Sequence, residues 1–213
     1  MNEERDLEGL SALVTGATSG IGKAAAEELA RRGAEVIVHG RDAARGAAVV
    51  GTITSEGGKA RFADADLSDP ARLQGLVEQA GTVDILVNNA GISWAGPTAN
   101  LDVATFDRLF AANVRAPYFL VAALAPQMAA RGSGSIINIG SQAGQIGMAG
   151  NAAYSATKGA LHSMTRSWAA EFSPAGVRVN AVAAGPVYTP IQPREAAEAV
   201  GAVIAADGGR TGV

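Results

Sequence analysis

The chain of 213 residues contains no cysteine. Disulfides and thiolate metal sites are therefore excluded, and a reducing compartment is compatible with the composition. Charge is sparse: 17% of residues are charged against 48% hydrophobic, the balance of a chain that folds around a core. The charge present sums to −3, which argues against a nucleic-acid partner, because phosphates call for a basic face. No cluster of metal ligands stands out. The start, Met1-Asn-Glu-Glu-Arg-Asp-Leu-Glu8, lacks the basic-then-apolar layout of a secretion signal. No apolar run reads as long enough to span a bilayer. The expectation is a cytoplasmic protein with no nucleic-acid and no membrane partner, of a length that suits one domain over residues 1–213.

What is present is a regular alternation. Short, β-branched apolar runs read as strands at about Ser11–Thr15, Glu35–His39, Lys59–Ala63, Val83–Val87, Gly134–Ile139, Val177–Val182 and Gly201–Ala205. Helical stretches lie between them: Ile21–Arg32, stopped by Gly33; Ala43–Ser55; one entered through Asp69 as N-cap and Pro70 at its first position; and Ala152–Phe172. Asp102–Met128 reads as a helix pair broken near Pro117. Residues 1–8 read as a loose arm. Strands alternating with helices imply an α/β fold, a doubly wound parallel sheet of about seven strands with helices on both faces. Ligands of such sheets bind beyond the carboxyl ends of the strands. The polar turns Thr15–Gly22, Gly40-Arg41, Asp66-Leu67, Asn88–Gly91, Ser141 and Gly185 all fall there and should converge on one cleft.

The first of those turns carries the clearest chemistry. A strand runs into Gly16, Gly20 and Gly22 and then into Lys23-Ala-Ala-Ala-Glu-Glu-Leu-Ala30, made of strong helix formers. Glycines let backbone approach a phosphate, and a helix N-terminus offers free N–H groups with partial positive charge. A pyrophosphate site follows. The spacing is not that of a Walker loop: Ala17 stands where that loop needs glycine, and Ala24 where it needs a Mg²⁺-binding hydroxyl, so NTP hydrolysis is disfavoured. Tyr154 and Lys158 are four residues apart and share a helix face, where the ammonium would lower the phenol pKa.

With Thr15-Gly16-x-x-x-Gly20-Ile21-Gly22, Asn88-Asn-Ala-Gly91, Asn113, Ser141 and Tyr154-x-x-x-Lys158 in order, the chain resembles the short-chain dehydrogenase/reductase family over about Leu10–Thr189. The resemblance implies a single Rossmann-type catalytic domain, a nicotinamide cofactor and carbonyl/alcohol chemistry on a small-molecule substrate. Within the family the chain looks most like 3-oxoacyl-(acyl carrier protein) reductases and sugar or polyol dehydrogenases. It implies Tyr154 as general acid/base, Ser141 on the same substrate oxygen, and Lys158 with Asn113 orienting a proton relay. It implies cofactor contacts from Gly16, Thr18, Ser19, Gly20, Ile21, Gly22, Asp66 (adenine), Leu67, Asn88, Ala90, Gly91, Tyr154, Lys158, Gly185, Val187 and Thr189 (carboxamide end). Members preferring NAD usually carry an acidic residue where Gly40 stands. Here Arg41 follows instead, suited to a 2′-phosphate, so NADP(H) is favoured with NAD(H) the lesser expectation. Members are commonly tetramers, so a homo-oligomer is expected. His39 and His162 read as structural, Trp94 as either cleft edge or packing, Trp168 as core or interface, and Gln145, Ile146 and Met148 as pocket-lining.

The chain departs from the family pattern twice. Ala184-Gly185-Pro186 stands where Pro-Gly is usual, and a helix-like Pro193–Val200 runs straight into the last strand with no turn between. The expectation there is a shortened lid at 190–201, or segments missing near Ile191-Gln192 and Val200-Gly201. The leading function is an NADP(H)-dependent carbonyl reductase or alcohol dehydrogenase; the alternative is a non-catalytic dinucleotide-binding scaffold or sensor.

Overall fold

The computed structural model describes residues 5–187 and the strand residues 203–205. The alternation of the sequence becomes β1 (Ser11–Val14), α1 (Gly20–Arg31), β2 (Glu35–Gly40), α2 (Ala43–Ser55), β3 (Lys59–Asp64), α3 (Pro70–Ala80) and β4 (Ile85–Asn88). Then follow α4 (Val103–Phe110), α5 (Ala116–Arg131), β5 (Gly134–Ile139), α6 (Ala152–Phe172), β6 (Val177–Ala183) and β7 (Val203–Ala205). The strands form one sheet in the order β3-β2-β1-β4-β5-β6-β7. The order reverses between β1 and β4, and that is where a ligand crevice opens in such sheets.

β1 to β6 pair in parallel, and their inward residues alternate between two apolar layers. Leu13, Ile37, Leu86 and Ile136 face α3, α5 and α6, packing against Leu76, Leu120, Leu124 and Leu161. Val14, Val36, Val38 and Val87 face α1 and α2, packing against Ala26, Ala30, Val49 and Ile53. Period-two alternation of this kind covers both faces of the sheet, as a parallel sheet requires.

Three expectations need correction, and one is refined. β7 pairs antiparallel with β6, through Val182↔Ile204, so the sheet is not wholly parallel. An antiparallel edge strand on an otherwise parallel sheet is common in doubly wound folds. The arm is pinned where it is described: the Leu7 N–H donates to the Arg32 carbonyl at 3.0 Å, and the Arg32 guanidinium grips the Asp6 carboxylate. The helical run Val103–Arg131 is, by length and composition, apolar enough to cross a membrane. Its Leu120, Val121, Leu124, Ala125 and Met128 are instead buried in the core, which explains the apolar sequence. The break in that run comes before Pro117, as a π-helical turn at Ala111–Arg115. Proline acts backwards: it lacks the N–H that would bond the carbonyl of Asn113, four residues earlier.

Local signals held elsewhere. Asp69 caps α3, its carboxylate accepting from the N–H groups of Ala71 and Arg72, with Pro70 in the first turn. The region 190–201, its two suspected junctions and Thr189 lie outside the described residues.

Candidate active site

Four turns at the carboxyl ends of β1 to β4 enclose a cleft of about 360 Å³, lined among others by Gly16, Thr18, Ser19, Gly20, Ile21, Arg41, Asp66, Leu67, Ala90 and Gly91. The glycine loop has positive φ at Gly16 (64°) and Gly20 (54°), the left-handed region glycine enters without cost. Ser19 precedes α1 in extended conformation and makes no side-chain cap, so the first N–H groups of the helix are left for an anion. A Cβ on Gly22 would strike the Asn89 amide and come within 2.5 Å of the Gly16 carbonyl. Asn89 is thus packed beneath the loop, and its amide donates to the carbonyls of Thr15 (2.9 Å) and Gly16 (3.1 Å). Thr15 returns the connection, its hydroxyl accepting from the N–H groups of Asn89 and Ala90 and donating to the Val87 carbonyl.

His39 completes this scaffold. Its Nδ1 accepts from the Gly16 N–H at 3.2 Å, so Nε2 carries the proton and donates to the Ala65 carbonyl at 3.1 Å. Burial pushes its pKa down, which keeps the imidazole neutral in that tautomer.

The ribose end of the cleft discriminates by shape and charge. A Cβ at Gly40 would collide with the Thr18 side chain as it stands, so an acidic residue at position 40, of the kind that would accept from ribose hydroxyls, would require Thr18 to move. Arg41 is exposed, lines the cleft and makes no ion pair among the described residues. Arg45, one helical turn further, also lines it while pairing with Asp42 at 2.9 Å. Asp66 accepts from both the N–H and the hydroxyl of Ser68, which hold its carboxyl below the usual range and fix it at the cleft wall.

Asn88 presents no side chain to this cleft. It is 2% exposed, turned into the sheet at the end of β4, where its amide donates to Asn138 of β5 at 2.9 Å. The two asparagines are register partners, and the pairing satisfies the Asn88 Nδ2 while its Oδ1 stays buried without a partner among the described residues. The cleft is lined one residue on, by Asn89. The sequence carried Thr15 and Asn89 only inside their motifs and His39 as structural, the role its scaffold hydrogen bonds give it; Arg45 was missed. Side-chain alternation along β4 was the available signal for Asn89, and the Arg41-x-x-x-Arg45 spacing for the second cation.

Beyond Gly91 the second half of the site begins. A Cβ there would sit 3.1 Å from Asn113 Oδ1 and 3.6 Å from Lys158 Nζ, so Gly91 is where the cleft meets Asn113 and Lys158. Asn113, in the π turn, accepts from the Ile92 N–H (2.9 Å) and donates to the Ile92 carbonyl (2.8 Å) and the Thr157 hydroxyl (3.1 Å). It therefore ties the loop after β4 to α6. On α6, Lys158 is 5% exposed, its ammonium donating to the Ile139 carbonyl at 2.8 Å. Burial lowers its pKa to about 8.

Tyr154, one turn earlier, faces Ser141, whose hydroxyl acts to lower the phenol pKa and also accepts from the Ala143 N–H at 3.1 Å. The two residues are brought together by a close crossing: a Cβ on Gly144 would lie 2.7 Å from the Lys158 carbonyl carbon and 2.8 Å from the Gly159 nitrogen. The turn after β5 thus rests directly on the backbone of α6. The expected lowering of the tyrosine pKa is not found. Burial pushes the phenol up, outweighing the Ser141 hydroxyl, while the Lys158 ammonium lies 5.8 Å from the ring centroid and is engaged by Ile139. The phenol is accordingly held as an acid. Gly185 and Val187 follow β6, tied in through the Gln142 N–H to the Ala184 carbonyl at 3.0 Å. Trp168 is buried in the core, and the His162 imidazole lies against Gly140.

The residues fit a dinucleotide: a glycine cradle no larger side chain could occupy, an uncapped helix N-terminus, and free guanidinium charge at the ribose end. Comparison with known proteins agrees. The family model for short chain dehydrogenase matches residues 11–199. A solved structure described as a short chain dehydrogenase/reductase family protein is 54% identical, with a TM-score of 0.84 over 87% of this chain and 77% of that one. A 3-oxoacyl (acyl-carrier-protein) reductase from Agrobacterium tumefaciens C58, solved with NADP bound, is 36% identical, with a TM-score of 0.84 over 87% of this chain and 73% of that one. Gluconate 5-dehydrogenase of Gluconobacter oxydans is 38% identical over 196 residues, 90% of this chain and 77% of the relative.

Proposed function

The chain belongs to the short-chain dehydrogenase family, a family of oxidoreductases, and we propose that within it this protein is an NADP(H)-dependent enzyme interconverting a carbonyl and a secondary alcohol. The observation that carries the reading is the placement of Tyr154 and Lys158 one turn apart on α6, with the turn that bears Ser141 crossing that helix at Gly144, next to the glycine-built cleft. The nicotinamide, when bound, supplies or takes the hydride. This chain handles the proton. Tyr154, kept protonated by burial, donates to the carbonyl oxygen as it gains negative charge. Ser141 holds that oxygen in line. Lys158, fixed by Ile139, places its ammonium beside the tyrosine and stabilises the phenolate that remains. Asn113 positions this helix face against the loop after β4.

Arg41, with Arg45 beside it and no acidic residue at Gly40, supports NADP(H) over NAD(H). The NADP-bound reductase relative supports the same choice. A 3-oxoacyl thioester, a small ketone and a keto sugar are the substrate classes that the named relatives and the site suggest. A cytoplasmic homo-oligomer, a tetramer by family habit, is part of the proposal. The exposed Tyr118 and Phe119 on α5 support the association, and light scattering tests it.

The functional test is NADPH oxidation against a carbonyl panel, with NADH as control. Turnover preferring NADPH supports the reading. Tight NADPH binding with no turnover on any carbonyl would favour a dinucleotide-binding scaffold.

A further inference from the structure

Three loops surround the Ser141–Tyr154 pair: 91–97 after β4, 141–151 after β5 and 184–187 after β6. Backbone hydrogen bonds fasten them to one another. The Gly96 N–H donates to the Gly150 carbonyl at 2.9 Å, and the Gln142 N–H to the Ala184 carbonyl at 3.0 Å. The Asn151 N–H donates to the Met148 carbonyl at 3.1 Å, and Gly150 takes a φ of 76° so that its backbone can lie against Gly96. These loops form one wall, and the wall displays large apolar side chains to the outside. Ile146 is 57% exposed, Met148 48%, Val187 37% and Ile92 36%. Trp94, half-buried, lies flat over Gly96. A soluble fold rarely gathers this much apolar surface at the mouth of a polar pair without a ligand to cover it.

The wall also has a charge pattern. No residue of the three loops is acidic or basic, whereas the cofactor half of the cleft carries Arg41, Arg45 and Asp66. Among the described residues the nearest cation to the reacting oxygen is the Lys158 ammonium, already engaged by Ile139. A carboxylate or phosphate on the substrate body would lose water here with no opposite charge on these loops, among the described residues, to meet it, a costly burial. From the apolar wall and its neutrality we infer that the substrate is an uncharged carbonyl compound with a hydrocarbon body, a ring or short chain, and not a keto acid or a phosphorylated sugar. The inference rests on Tyr154 and Ser141 being the groups that hold the carbonyl oxygen.

The test is a matched pair, 4-methylcyclohexanone and 4-oxocyclohexanecarboxylate, which share a ring and a ketone and differ by one negative charge. With the full chain and saturating NADPH, kcat/KM for the neutral ketone should exceed that for the acid by about tenfold or more, the penalty for leaving a charge unpaired. Equal or better use of the acid would overturn the inference. Met148→Lys should narrow the difference by improving use of the acid, with NADPH affinity unchanged; no narrowing would remove Met148 from the substrate wall. Titration calorimetry of the two ketones into the NADP⁺-loaded protein separates this inference from the reductase reading. Preferential binding of the neutral ketone without turnover would sustain the apolar wall and sink the chemistry. Binding of neither would sink the wall itself.

Discussion

The two halves of the site are built in opposite ways. The cofactor half is made of backbone: Gly16, Gly20 and Gly22 leave room, Asn89 and Thr15 lace the loop ends together, and charge enters only at the rim through Arg41 and Arg45. The reacting half is made of side chains on one helix face and a crossing turn, with Tyr154, Lys158 and Ser141 held by burial and by the contact of Gly144 with α6. A cradle for a phosphate tolerates many sequences that keep the space open. A proton donor must be held to within a fraction of an ångström, and that demands packing.

The comparison can be broken at its tightest point first. Gly144→Ala forces the turn after β5 away from α6, separating Ser141 from Tyr154. The expected result is a fall in kcat of about a hundredfold, the size of effect that an ångström of misplacement produces, with NADPH affinity little changed. An equal loss in both would mean that the halves are not independent. Arg41→Ala should act on the other half alone. It should raise the NADPH dissociation constant by about ten- to a hundredfold, as loss of a charge-assisted hydrogen bond does, and leave NADH binding as it was.

A smaller and more diagnostic effect lies in pH. Lys158 is predominantly the ammonium below about 8, so carbonyl reduction should decline as pH rises through that value, and the limb should move upward in Lys158→Arg. The same shift has the opposite sign for stability. Between about 8 and the ordinary 10.5 the unfolded chain binds the proton more readily than the folded one, so folding should become more favourable as pH rises across that window. Denaturant titrations at two pH values would separate the trends. The smallest effect lies away from both halves: Asp69→Ala removes the cap of α3 and should cost about 1 kcal/mol of stability without touching turnover.

Local rules make much of this fold legible in the sequence. β-branched runs and Gly or Asp–Pro punctuation place β5 and α2 at their observed bounds and cap α3, because strand propensity, caps and turns act over a few residues. The glycine loop and the Tyr154–Lys158 face are legible for the same reason. What escapes depends on neighbours distant in sequence. Asn88 and Asn89 are adjacent and chemically identical, and only the pairing of β4 with β5 decides that one is buried and the other lies beneath the glycine loop. The tyrosine pKa turns on desolvation by the surrounding fold, which overrides the ammonium four residues away. The apolar run Val103–Arg131 announces burial but not in what medium, and its partners in the core decide that. The direction of β7 has no local signal.

The central claim is that Tyr154 supplies the proton while the glycine half binds the cofactor independently of it. Single-turnover reduction of 4-methylcyclohexanone by bound NADPH, compared between the wild-type chain and Tyr154→Phe, tests it most directly. The account predicts an unchanged NADPH dissociation constant and a hydride-transfer rate lower by about a thousandfold, within the range that general acid catalysis contributes. A Tyr154→Phe protein that transfers hydride at the wild-type rate would contradict it.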